Sequence, residues 1–239
     1  MPPKQRRKSG ANVKDLIQGH RTANRSLLHC TSGLALIEFA ILLPVLLLLG
    51  LGGLELSNLT GAYLRVNTIA IKTADHAARI RSSIDEADIN ELFLGAKTMG
   101  AKIDFANHGR IILSSIEPLM NSASPPQVVN QYLRWQRCTG ASAANSTHGN
   151  EGDGASGTAN AAGYGLPGKP KIKAAANTVV MLAEVAYDYQ PLLSSSWFGP
   201  ITIRVAQSIT VRERTDQVMK NASGLSTAKK ALCTNAHTA

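Results

Sequence analysis

Apolar and polar positions divide the chain into segments of different period. Residues 34–54, LALIEFAILLPVLLLLGLGGL, are apolar apart from one carboxylate, Glu38. At about 1.5 Å per residue, such a helix is about 31 Å long, close to the ~30 Å of a bilayer's hydrocarbon core. A helix buried in a globular core is the plain alternative, but a surface-packed helix keeps a polar face and this run has none. A secretory signal is the second alternative. Its apolar region is shorter and ends in small residues at a cleavage site, whereas this run ends in GLGGLELSN with no Ala-x-Ala after it. The pattern predicts a membrane-spanning helix over 34–56.

After the span the period stays helical. Leu56, Leu59, Tyr63, Val66, Ala70, Thr73, Ala77 and Ile80 recur at steps of three and four, one stripe of a helix. Arg65, Lys72 and Arg79 fall on another face, and Asp75 is placed to pair with Arg79 at i,i+4. The span is therefore the first half of one long helix, which Pro44, Gly50, Gly52 and Gly53 are placed to bend or to pack closely against another helix. A second helix is expected over 85–98, with Ile89, Leu92 and Phe93 on its apolar face.

The period then drops to two. RIILSSIE (110–117) reads as a strand, while VVNQYLRWQRC (128–138) suits either helix or strand. Val179, Met181, Ala183, Val185, Tyr187 and Tyr189 alternate with Leu182, Glu184, Ala186 and Asp188, the pattern of a half-buried strand. Ile201, Ile203, Val205, Ile209 and Val211 alternate more cleanly still, and residues 191–200 join the two as an antiparallel hairpin with a long loop. The expected fold class is α+β: one N-terminal transmembrane helix running into a long amphipathic helix, packed on a small antiparallel sheet. Residues 139–168 are rich in Gly, Ala, Ser and Asn, hold eight of the chain's 20 glycines, and read as a flexible surface loop. The expected organisation is a basic tail 1–33, the span 34–56, a head 57–219 and a C-terminal tail 220–239. Residues 1–25 and 220–239 are expected to be poorly ordered.

Charge refines this picture. The net charge of +9 first suggests an anionic partner. Before Gly33, however, seven basic residues face a single acid, Asp15, so the later residues carry only +3. Aromatics are 5% of the chain and no basic stripe interleaves with them, which argues against nucleic acid. Lys and Arg beside a span stay cytoplasmic, so the N-terminus is expected inside and everything after residue 56 outside. Glu38 then needs a reason, because a mid-membrane carboxylate costs about 2.5–3.5 kcal/mol, less near an interface. One reading is an interfacial residue that tolerates its place. The other is a cation supplied by a second chain, or by a new amine made when this chain is cut.

The stretch Gly33-Leu34-Ala35-Leu36-Ile37-Glu38-Phe39 resembles the processing motif of type IV prepilins: a glycine, a hydrophobic new N-terminus, and a glutamate followed by an aromatic residue. Its continuation through Pro44 to Glu55 is similar to the TadE/TadG-like pseudopilins of tight-adherence pilus systems, as are VVMLAEVAYDYQPLL (179–193) and RWQRC (134–138). The resemblance tips 128–138 towards strand. It implies cleavage by a prepilin peptidase between Gly33 and Leu34, and a new Leu34 amine that would pair with Glu38 of a neighbouring subunit. It also implies assembly contacts through Glu38, Phe39 and Pro44. Partners would be other pilin or pseudopilin subunits, pilus-assembly membrane proteins and the peptidase. The location would be the bacterial inner membrane, with a periplasmic head, and the role a pseudopilin or an assembly factor that is not itself cleaved.

Other chemistry is sparse. Cys30 lies on the cytoplasmic side and should stay reduced. Cys138 and Cys233 lie outside, where disulfides persist, and are expected to bond to each other; the alternative is two free thiols. Residues 163–168, GYGLPG, spell G-x-G-x-x-G, but they follow a glycine-rich loop and precede Lys169-Pro170 rather than joining a strand to a helix. The six histidines show no zinc spacing, and no G-x-S-x-G elbow occurs. The expectation is a non-enzyme without metal or cofactor. The rival reading is a membrane-anchored head that binds a ligand through Tyr187, Tyr189, Trp197 and the 139–168 loop.

Overall fold

The computed structural model describes residues 32–193 and 199–234, in two units, Met1–Leu54 and Glu55–Ala239. The tail 1–31 (Cys30 included), Trp197 and the last five residues lie outside the described residues. The helix α1, Ser32–Arg79, passes through Pro44 and contributes to both units. In the first unit, residues 33–54 of α1 bury nothing: leucines, isoleucines and Phe39 stand exposed all round.

The second unit is an α+β head. From residue 55 onwards α1 buries a stripe of small residues, Ala62, Ala70, Ala74, Ala77 and Ala78, with Val66 and Ile69. α1 is followed by a two-residue strand β1 (Ile84–Asp85) and helix α2 (Glu86–Met99). Asp85 starts α2 by accepting the Ala87 N–H at 3.0 Å, and Asp88 returns the bond by accepting the Asp85 N–H at 2.9 Å. This reciprocal pairing satisfies two amides that a helix start leaves open. A short helix α3 (Phe105–His108) leads into β2 (Gly109–Met120), then β3 (Val128–Thr139), β4 (Val180–Asp188), β5 (Thr202–Thr210) and β6 (Met219–Lys220).

The main sheet runs β3-β2-β4-β5, every pair antiparallel. Its helix-facing side supplies Ile111, Leu113, Trp135, Met181, Ala183, Val185 and Tyr187 to one core with α1 and with Ile89 and Phe93 of α2. A fully buried side chain of this size contributes about 1.5–3 kcal/mol, so this layer is the principal source of the head's stability. As the alternating pattern predicted, β5 is buried on one face only, with its outward residues exposed.

Three expectations need correction. The helix stripe is rotated at its start: Leu56 and Tyr63 are exposed (65% and 51%), while Glu55 and Ala62 are buried. The cause is polar, a set of hydrogen bonds to Glu55 described below. Secondly, the stretch read as a flexible loop over 139–168 is stitched across the outer face of the sheet. Tyr164, Ile172 and Ala174 cover a second apolar cluster of Ile116, Leu133, Val180 and Leu182, so β4 is buried on both faces rather than one. The buried Gln131 side chain there imitates a strand, donating to the Ala174 carbonyl at 3.1 Å and accepting the Ala174 N–H at 2.7 Å. Asn130 donates to the Gly154 carbonyl, and the Tyr164 hydroxyl donates to the Asp153 carbonyl at 2.6 Å. Gly154 has φ +80, and a Cβ there would lie 1.9 Å from the Gln131 carbonyl oxygen, so glycine alone fits. Thirdly, the described part of the C-terminal tail belongs to the head. β6 pairs in parallel with β1, Ala231 is buried in the core, and Cys233 is bonded to Cys138.

Candidate functional site

Gly33, Leu34, Glu38, Phe39 and Pro44 all lie on α1, in its first turns. The Gly33–Leu34 peptide sits in the opening turn, where amides lack intrahelical partners and unwinding costs least. Leu34 and Phe39 are 60% and 57% exposed. Among the described residues, nothing pairs with the Glu38 carboxylate, and residues 33–54 carry no cation. These residues lie on one apolar stretch of helix whose only charge is unmatched among the described residues.

Glu55, at the end of the apolar run, has the opposite environment. It is 3% exposed. Its carboxylate accepts the Tyr189 hydroxyl at 2.5 Å, the Leu192 N–H at 3.0 Å and the Leu193 N–H at 3.2 Å. Asn58, almost one turn further along α1, donates its amide to the same tyrosine oxygen at 2.7 Å. A buried carboxylate is costly unless such donors satisfy it. Burial, and then the neighbouring Glu55 carboxylate, push the Tyr189 phenol up to about 12, so it remains a neutral donor. Sequence reading marked both partners, Glu55 as the end of the family-like apolar run and Tyr189 within the family-like stretch 179–193, without connecting them. They are 134 residues apart, and no local period links such positions.

The tyrosines proposed as ligand contacts are committed elsewhere. Tyr187 is 2% exposed, donates to the Ile103 carbonyl at 2.7 Å and stacks on Phe105, while Tyr189 is held at Glu55. The Cys138–Cys233 disulfide ties the chain's end to the last turn of β3. Next to it Arg137, 6% exposed, makes two hydrogen bonds to Glu86, at 2.9 and 2.6 Å, and one to Glu151 at 3.0 Å. This network links α2, β3 and the outer loop.

A cleft of about 270 Å³ opens where the outer loop meets β4 and β5, lined by His148, Glu184, Lys169 and Arg204 among others. The arrangement at Glu184 is structural in form. Ser146 donates its hydroxyl to one carboxylate oxygen; the Thr147 N–H (2.8 Å), the Thr147 hydroxyl (2.7 Å) and His148 Nδ1 (2.8 Å) engage the other. Burial works against ionisation of Glu184, but the bonds from His148, Ser146 and Thr147 outweigh it and hold its carboxyl below the usual range. Ser146 Oγ donates to the carboxylate and accepts the His148 backbone N–H at 3.1 Å, while the His148 ring engages Glu184, so the ring is not placed to activate this hydroxyl as a nucleophile.

Comparison with known proteins agrees with the first site. Residues 33–79 match the family model of TadE-like protein. The match covers all of α1 except its first residue. No curated protein and no solved structure matches the chain.

Proposed function

From the premise that this is a TadE-like protein, we propose that it is a membrane-anchored pseudopilin or assembly factor of a bacterial tight-adherence pilus or related secretion apparatus. It acts without catalysis, cofactor or metal, by associating through α1. The observation that carries this reading is the coincidence of the family match with an exposed apolar stretch, residues 33–54, whose one charge, Glu38, has no partner among the described residues. In a low-dielectric surrounding a carboxylate gains most from a cation that shares that surrounding. Cleavage between Gly33 and Leu34 would create such a cation, the Leu34 amine of a neighbouring subunit. The N-terminus is cytoplasmic and the head from residue 57 is periplasmic, as the basic tail predicts. Phe39 and Pro44 shape the contacts around Glu38.

N-terminal sequencing of the chain recovered from cells tests the processing step. A start at Leu34 supports the pseudopilin role. A start at Met1 or Pro2 excludes cleavage and assigns the chain to the uncleaved assembly factors.

A further inference from the structure

The cleft against β4 and β5 is built by the alternation of the strands. The register sets Glu184 beside Ala206 and Ala186 beside Arg204, with Ile112 of β2 completing the first row. These side chains stand on the outer face of the sheet, which the loop covers further along through Tyr164, Ile172 and Ala174. Ala186 and Ala206 stop at Cβ, and the hollow of about 270 Å³ lies against them, with Leu166 and Lys169 also in its lining. Its size is just under the ~300–1,000 Å³ of most small-molecule sites. Its charges do not balance. Among the described residues Glu184 is the only carboxylate in the lining, and it already accepts from the Ser146 and Thr147 hydroxyls, the Thr147 N–H and His148 Nδ1. Arg204 donates through Nη1 to the Asn145 carbonyl at 3.2 Å. That bond holds the guanidinium at the cleft, and its other donors, like Lys169 Nζ, have no partner among the described residues. A guanidinium presents its N–H groups as a fork that matches a carboxylate.

We infer that this cleft is a binding site for a small carboxylate with an apolar body. The carboxylate lies against Arg204 and Lys169, and the body rests on Ile112, Ala186 and Ala206. Glu184 does not oppose it, because the charge of that group is met by its own donors. Charge alone is not enough for the ligand, since the floor offers a hydrated ion no hydrogen bond. The loop that the sequence marked for ligand contacts takes part through Asn145 and Leu166, whereas Tyr187 and Tyr189 do not. The site lies wholly within the head and is independent of the role proposed for α1.

The experiment titrates para-fluorobenzoate into the full chain in an uncharged maltoside detergent, with fluorine NMR line width as the readout and protein-free micelles as the blank. Saturable broadening is expected. The neutral isostere para-fluorobenzamide should bind at least about tenfold more weakly, and Arg204→Gln should weaken benzoate by a similar factor, since each removes a charge-assisted pair. Arg204→Lys should keep most of the binding. Ala206→Phe, which fills the hollow from β5, should abolish it. Both positions are exposed on β5, so the head's thermal unfolding is expected to stay unchanged. Broadening that does not saturate overturns the site. Equal binding of the amide overturns the anionic class of ligand. Benzoate binding that Ala206→Phe leaves intact places it elsewhere and overturns the cleft, and loss in Ala206→Phe with none in Arg204→Gln refutes the role of Arg204.

Discussion

Glu38 and Glu55 lie on the same helix, 17 residues apart in sequence, and have opposite surroundings. Glu38 stands among exposed leucines with no partner among the described residues, while Glu55 is buried beneath a tyrosine hydroxyl and two backbone amides. The second carboxylate is provided for by its own chain, and so is a feature of folding. The first has no such provision among the described residues, and the proposed function assigns its partner to a neighbouring subunit. On that proposal one helix carries both an internal fastening and an external one. The boundary between them falls at Leu54–Glu55, where burial begins.

If buried charges in the head are matched internally, removing one partner should be costly. The largest effect is expected for Arg137→Met, which leaves Glu86 buried and unpaired at a cost of about 3–5 kcal/mol, read by chemical denaturation of the full chain in detergent. Glu55→Ala should follow, at about 2–4 kcal/mol, because the Tyr189 hydroxyl and two amides lose their acceptor. Thermal unfolding would register the loss as about 5–15 °C. Tyr189→Phe removes one of Glu55's donors and should cost about 1–2 kcal/mol. A Glu55→Ala head as stable as the wild type would erase the distinction between the two glutamates.

The smallest effects are those of pH. Tyr189 has its phenol raised from 10.0 to about 12. Its contribution is therefore complete below pH 10 and lost as pH rises towards 12. Glu184 has its carboxyl lowered. Its contribution is complete above the ordinary carboxylate range and is lost as pH falls through the depressed value, loosening the outer loop first. Hydrogen exchange at Thr147 as a function of pH would follow that loosening. An acid limb of exchange that Glu184→Gln leaves unchanged would contradict it.

Much of this was legible in the chain. The apolar run, the stripe from Val66 to Ala77, the helix after Asp85 and the strands at 110–117, 179–189 and 201–211 follow from period alone, and the structure holds them. So does the Asp75–Arg79 pair, at 2.9 Å. What period does not carry is a polar decision made at a distance. Leu56 and Tyr63 fit the apolar stripe, yet the helix turns Glu55 and Ala62 inward because Tyr189 and the Leu192 and Leu193 amides accommodate the carboxylate. The outer loop was misjudged for a related reason. Glycine, alanine and asparagine leave no hydrophobic signature, while Gln131, Asn130 and Glu184 hold the loop through backbone and amide bonds. At the candidate site, Gly33, Leu34, Glu38 and Phe39 were visible as a motif because their spacing is local. The Glu55–Tyr189 contact was not.

The central claim is that Glu38 serves assembly and not the fold. The most direct measurement compares Glu38→Gln with wild type for recovery of the chain in crosslinked or sheared assemblies, together with membrane content and the head's Tm. The account predicts that assembly falls at least about tenfold, the loss of roughly 1.4 kcal/mol of association, while membrane content and Tm stay at wild-type values. Undiminished assembly of Glu38→Gln would contradict it.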